Sequence, residues 1–394
     1  MTAMQSYKSH FSRFLSAAPE RIHLAAHSHH LWPDVSFDAH CRAWSDAAVL
    51  ADRKWEHIFG TLWPSAQRHV ARLIGLSDPG SVVFGPNTHD FLLRILSCMD
   101  DRREPLSVLA TDGEFHSFTR QMARLEETGA VSVARVPVEP FDSFAARYAD
   151  AAAAGGHDLV FFSHVFFNSG FQVPAPEAIV AAVAHPDTFI VIDGYHAFMA
   201  LPVDIGAVAD RVFYIGGGYK YAMTGEGACF LHVPPGYGPH PTNTGWYAAF
   251  SALSHPGQST VAYPADGQRF IGSTFDQTAL YRFVAVMDWA VEQGLTPAAI
   301  HERGHLLQRA FAEALDAHAI AGLGSDSLVV PLDQPSRGQF LVYRTPQAAE
   351  MNARLLKAGI VTDCRGDRLR FGFGVYHDLA DMPLYASKIS EVLG

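Results

Sequence analysis

Residues 188–233 read TFIVIDGYHAFMALPVDIGAVADRVFYIGGGYKYAMTGEGACFLHV. Three short runs rich in β-branched and aromatic residues, TFIVID, RVFYI and ACFLHV, are set apart by turn-forming stretches. The same rhythm runs upstream from about residue 81 through SVVF, LSVLAT, VSVARV and DLVFFSH, alternating with helical patterns. Such alternation predicts βαβ units and a mostly parallel sheet. Several of the runs are apolar throughout, as strands covered by helices on both faces are. After a turn-rich stretch at 234–272, amphipathic patterns predict helices at about 276–293 and 297–318. Short strands in SLVVPL, QFLVYR and LRFGFG follow, with helices near 346–358 and 379–393. The expected architecture is α/β: a large domain over 41–275, a smaller α+β domain over 276–394, and a segment 1–40 packing on both.

Composition narrows the function. The 394 residues, 48% hydrophobic and 18% charged, suit a chain with a large core. A formal charge of -11 repels phosphate backbones and anionic bilayers, and the basic residues form no long run, so neither nucleic acid nor a membrane is an expected partner. Cys41, Cys98, Cys229 and Cys364 include no CxxC pair, which fits reduced thiols in a cytoplasmic protein better than a disulfide framework or zinc cage. The beginning MTAMQSYKSHFSRFLSAAPE has no apolar core of the signal-peptide kind, and no run of about 18 apolar residues follows.

In open α/β sheets ligands bind at the carboxyl ends of strands. The residues ending or following the runs are Asn87 and Thr88, Phe115 and His116, Ser163, Asp193 and Lys220. They do not suit a nucleotide, because GxxxxGK[ST] is absent and GGGYKY does not satisfy GxGxxG. They do suit pyridoxal phosphate, which needs a lysine for a Schiff base, a carboxylate beside the pyridine nitrogen and donors for its phosphate. Asp193 and Lys220 are separated by one strand and one connection, so both are expected to face the same crevice. Glycines 216–218, Gly225 and Gly227 let the backbone approach a ligand closely.

These residues carry a resemblance to fold-type-I pyridoxal-phosphate enzymes of the class V aminotransferase group, most of all to kynureninase. DGYHAF resembles the group's Asp-x-x-His signature, which places Asp193 at the pyridine nitrogen and His196 near the phenolic oxygen. GGYKYAMTGEG resembles the kynureninase Tyr-Lys-Tyr followed by glycines, with Lys220 as the Schiff-base lysine and Tyr219 as a phosphate ligand. GPNTHDFLL looks like the phosphate-binding turn, through Asn87 and Thr88, and EFHSF supplies the ring-stacking residue, Phe115 by spacing, with His116 beside it. FFSHVFFNSG places Ser163 at a cofactor-contact position. NTGWYAAF and RFIGST resemble segments reaching the phosphate from a neighbouring subunit through Trp246 and Thr274, which implies a homodimer. RLRFGFGVYHD is similar to the substrate-carboxylate motif, with Arg370 as the clamp and Arg365 and Arg368 as rivals. AAHSHH resembles the loop closing over substrate, making His27 and Ser28 candidates. The implied activity is an aminotransferase acting on a small amino acid, with kynureninase-like cleavage second and a non-catalytic cofactor-binding protein third. Phe118 and Thr274 stand where kynureninase carries an aspartate and an asparagine.

A metal is the competing chemistry. His301, Glu302 and His305 spell HExxH on an expected helix, the zinc-protease pattern, but no third ligand follows at the customary distance. His27, His29 and His30 are adjacent loop residues edging a pocket. No metal is expected.

Overall fold

A computed structural model describes residues 5–99, 101, 105–248 and 261–394. The last two residues of NTGWYAAF, positions 251–260 of the turn-rich stretch and the first four residues of the chain lie outside the described residues.

The strands in chain order are β1 (Ile22–His23), β2 (Val82–Gly85), β3 (Leu106–Thr111), β4 (Val131–Val136), β5 (Leu159–Ser163), β6 (Phe189–Asp193), β7 (Phe213–Gly217), β8 (Cys229–His232), β9 (Phe340–Arg344), β10 (Ile360–Val361), β11 (Asp363–Arg365) and β12 (Arg368–Gly372). Seven of them form one sheet, ordered β2-β8-β7-β6-β5-β3-β4. β7, β6, β5, β3 and β4 run parallel, while β8 is antiparallel to both of its neighbours. Every residue of β2, β5, β7 and β8 is buried, as uninterrupted apolar runs require, whereas β4 closes one edge and is half exposed. Strand order reverses between β3 and β5, since β3 continues outward to β4 and the chain then returns to β5 on the other side. Ligand crevices in open sheets form at such a reversal.

The 276–293 and 297–318 patterns fold as helices Thr278–Glu292 and Pro297–His318. The second starts on two local signals, Thr296 Oγ1 accepting from Ala299 N at 3.1 Å and a proline at the first helical position. A second core gathers Leu307, Phe311, Leu341, Tyr343, Leu355, Leu369 and Phe371 against the sheet β11-β12-β9. SLVVPL, expected as a strand, does not form one. Leu328 makes an isolated bridge to Tyr343 and Val329 donates to the Val342 carbonyl at 2.8 Å, after which Pro331, having no N–H, cannot continue a ladder.

The early segment ties these layers together. β1 pairs in parallel with β10. Beyond it, Ala26 donates to the Gly372 carbonyl at 3.2 Å and His30 to the Tyr219 carbonyl at 3.1 Å. Ser6 Oγ meets Asp378 at 2.8 Å and Lys8 Nζ meets Asp381 at 2.7 Å.

Candidate active site

A cavity of about 810 Å3 opens at the carboxyl edge of the large sheet. Asn87, Thr88, Phe115, Ser163, Asp193, His196, Tyr219 and Lys220 all line it. Asp193 ends β6 and Lys220 follows β7 by three residues, so the two come together on adjacent strands. The turn between β7 and Lys220 is tight: a Cβ on Gly218 would lie 1.9 Å from Thr224 Oγ1, and one on Gly217 would lie 2.3 Å from Tyr195 Oη.

Lys220 is 5% exposed. Burial lowers its pKa to about 7, overcoming the attraction of Asp193. Its Nζ lies 2.6 Å from His196 Nε2. Burial also drives His196 well below the usual imidazole range, helped by the Lys220 charge, so His196 is neutral and Lys220 is poised to be. Burial raises the Asp193 carboxyl, against a 2.9 Å hydrogen bond from Tyr195 N and the pull of Lys220. The result is an unprotonated amine available near neutrality, beside a carboxylate held in a low-dielectric wall.

Asn87 caps the ten-residue helix Thr88–Ser97, its Oδ1 accepting from Asp90 N at 2.8 Å. The N–H groups at the start of that helix supply positive potential at the cavity. Phe115 precedes the helix His116–Glu127, with its ring centroid 5.5 Å from Lys220 Nζ. His116 is exposed and, like Phe115, packs on Phe167, but of the two Phe115 is the one that lines the cavity. Trp246 and Thr274 are not brought there. They meet one another on the surface, Trp246 Nε1 donating to Thr274 Oγ1 at 3.0 Å.

Behind Lys220 lies a second cluster centred on Phe340. His27 stacks on that ring at 4.6 Å, His196 lies 5.5 Å away and the Arg370 guanidinium 6.0 Å away. Arg370 is 2% exposed and donates to the Phe167 carbonyl and to Asp363, its register partner on β11. Among the described residues its Nε has no partner, and neither ring nitrogen of the buried His27 has one. Ser28 sits next in the turn, its N–H closing onto the Ala25 carbonyl. Of the rival arginines, Arg365 is engaged by Asp363 at 2.6 Å, and Arg368 by Glu139 at 2.9 Å and the Asn168 carbonyl at 3.1 Å.

Sequence reasoning passed over Glu114, Tyr195, Phe340 and Asp363. Glu114 stands one position before Phe115 and three past the end of β3, and that adjacency is its one local signal. The HExxH histidines have other partners: His301 Nδ1 meets the Gln339 amide at 2.8 Å and His305 Nε2 the Arg337 carbonyl at 3.0 Å. Among the described residues no group of three potential ligands is placed to hold a metal.

The donors fit an anionic pyridine aldehyde. Lys220 offers a neutral amine, Asp193 a carboxylate and the Thr88 helix an anion seat, and buried His196 Nδ1 has no partner among the described residues. A mostly parallel sheet presenting this set at its carboxyl edge defines a fold-type-I enzyme using pyridoxal 5′-phosphate. The aminotransferase class-V family matches residues 51–325, and the kynureninase C-terminal domain family matches residues 300–388. Isopenicillin N epimerase of Streptomyces clavuligerus is 28% identical over 373 residues, 88% of either chain. Kynureninase of Deinococcus radiodurans is 32% identical over 235 residues, 58% of this chain and 53% of that one. Among solved structures, the apo cysteine desulfurase of Thermococcus onnurineus NA1 superposes with a TM-score of 0.79 at 17% identity, covering 100% of this chain and 99% of the other. The cysteine desulfurase CsdA of Escherichia coli gives 0.74 at 14% identity, covering 97% and 98%. The chain belongs to the aminotransferase class-V family of pyridoxal-phosphate-dependent enzymes.

Proposed function

We propose that this enzyme acts on a small α-amino acid, with Lys220 both holding the cofactor and moving the proton of the substrate α-carbon, and that the outcome is transamination. The observation that carries this reading is the buried Lys220 amine, near neutrality in pKa and 2.6 Å from a neutral His196. Such an amine would hold an aldehyde cofactor without first losing a proton, and when free it would be a base of matched strength for the proton on the substrate α-carbon. Pyridoxal phosphate supplies the electron sink for that chemistry. Asp193 is assigned to the pyridine nitrogen, His196 to the phenolic oxygen, Phe115 to the ring face, and Asn87, Thr88, Ser163 and Tyr219 to further cofactor contacts. Arg370, with His27 and Ser28 beside it, is assigned to the substrate carboxylate.

Kynureninase-like side-chain cleavage is the second reading, favoured by the C-terminal match that includes Arg370. Phe118 speaks against kynurenine itself, because its ring is stacked on Phe161 at 3.9 Å within the core and offers no polar contact. A homodimer is supported by the Trp246–Thr274 pair set apart from the cavity, and by exposed Phe37, Trp44 and Val49 on the helix Val35–Leu50. Four free thiols, two of them buried, support a reducing cytoplasmic location. Among the described residues no helix is long and apolar enough to cross a membrane.

Borohydride reduction of the holoenzyme followed by peptide mapping should fix the cofactor to Lys220. A panel of amino acids with keto-acid acceptors, read by product identification, should yield an exchanged amino group. A label on another lysine refutes the site. Release of a side-chain fragment without amino exchange replaces transamination by the second reading.

A further inference from the structure

Glu114 is a buried carboxyl behind the cavity wall, joined to it through Ser163, that the proposed chemistry leaves unused. It lies where strand order reverses, just past β3, and is 2% exposed. Thr111 Oγ1 lies 2.6 Å and Ser163 N 3.3 Å from its Oε1, and Ser163 Oγ lies 2.5 Å from its Oε2. Ser163 faces two ways: it touches Glu114 on one side and lines the cavity on the other, one strand from Asp193 and in register with it.

We propose that Glu114 is a positioning residue for Ser163, and that its protonation decides whether the serine hydroxyl turns outward to the bound cofactor or inward to the carboxylate. The carboxyl and the hydroxyl share a single short hydrogen bond, and only one of them can donate in it. A protonated Glu114 donates to Ser163 Oγ, and the serine proton is free to point into the cavity. An ionised Glu114 has no proton to give, so the hydroxyls of Ser163 and Thr111 both donate to it and the cavity loses a donor.

Burial holds the carboxyl up at about 8, against the hydrogen bonds from Ser163 and Thr111 and reinforced by the Asp193 charge. The remaining titratable neighbours do not supply a counter-charge. Tyr148, on the helix Phe141–Ala153, spends its hydroxyl on the Phe161 carbonyl at 2.8 Å, and burial raises it well above the usual phenol range. His164, the next residue after Ser163, is kept neutral by burial at about 4. The proton lost above that point goes to solvent through the cavity.

The inference rests on Ser163 contacting the cofactor, and the test separates the two ideas. Cofactor dissociation constants are measured on wild type, Ser163→Ala and Glu114→Gln from about pH 6.5 to about pH 9.5, with the absorption of the bound cofactor recorded alongside. Comparing proteins at each pH cancels the titration of Lys220. Wild type should bind roughly five- to tenfold more tightly than Ser163→Ala near pH 7, the value of one hydrogen bond, and the advantage should vanish by about pH 9.5. Glu114→Gln, whose amide is a donor at every pH, should keep that advantage throughout. If Ser163→Ala binds like wild type at pH 7, the serine contact itself is wrong. A wild-type advantage over Ser163→Ala that holds constant with pH overturns the role of Glu114 even if Glu114→Gln does not fold.

Discussion

Replacing Lys220 by methionine should make the cofactor-free protein more stable, although it destroys the site. The unfolded chain keeps the lysine proton to about its ordinary 10.5, whereas the folded chain releases it at about 7. At ~1.4 kcal/mol per pH unit, that gap makes the buried amine cost about 5 kcal/mol at neutral pH. Methionine fills a similar volume with nothing to desolvate. Against this stands the lost 2.6 Å contact with His196, which strands one buried nitrogen and costs about 1–2 kcal/mol. Desolvation wins, leaving a net gain of roughly 3 kcal/mol at pH 7. The sign with pH follows from proton counting. Between about 7 and 10.5 the unfolded state binds more protons, so the wild type gains stability as pH rises and the variant does not. The advantage of Lys220→Met should therefore be full at and below pH 7 and mostly gone by about pH 9.5. Urea unfolding of cofactor-free protein, followed by circular dichroism at one protein concentration, measures it. A variant less stable than wild type at pH 7, or an advantage that ignores pH, would refute the buried neutral amine.

Arg370→Ala should leave the absorption of the bound cofactor intact while substrate affinity falls roughly ten- to a hundredfold, the worth of about 1.5–3 kcal/mol in a charge-assisted contact. Asp363 keeps Arg365 as a partner at 2.6 Å, so the variant should still fold; normal amino-acid binding would remove Arg370 from the site. His301→Ala should leave turnover unchanged, and metal analysis of the holoenzyme should find no stoichiometric zinc; zinc at one per chain, with activity lost to chelators, would restore the peptidase reading.

The parallel strands were legible because each is a short run rich in β-branched and apolar residues with turn formers at both ends, and β3 and β4 begin and end where LSVLAT and VSVARV do. Asp193 and Lys220 were legible for the same reason, since consecutive strands that lie side by side make sequence spacing a fair guide to distance. Glu114 was not, because its partner Ser163 is 49 residues away and the reversal of strand order that joins them leaves no periodic signal. The arginine motif was ambiguous on geometric grounds. Arg368 and Arg370 are two apart on one strand and so share a face, and only depth separates them, with side chains 18% and 3% exposed. SLVVPL misled because β-propensity described its apolar residues and not the proline that stops the ladder.

The threading of the early segment through the site has a consequence for biosynthesis. Residues 22–30 are made well before any of their partners on β10 and β12, and Ser6 and Lys8 before Asp378 and Asp381. On the ribosome the seven-stranded sheet can close while this strap has only its contacts to the sheet, because β10 and β12 do not yet exist to receive the rest of it. The Lys220 turn can therefore receive His30 before residues 360–372 are made, and a chain truncated before residue 360 would have the sheet and the lysine without the β10 and β12 pairings that fasten the strap.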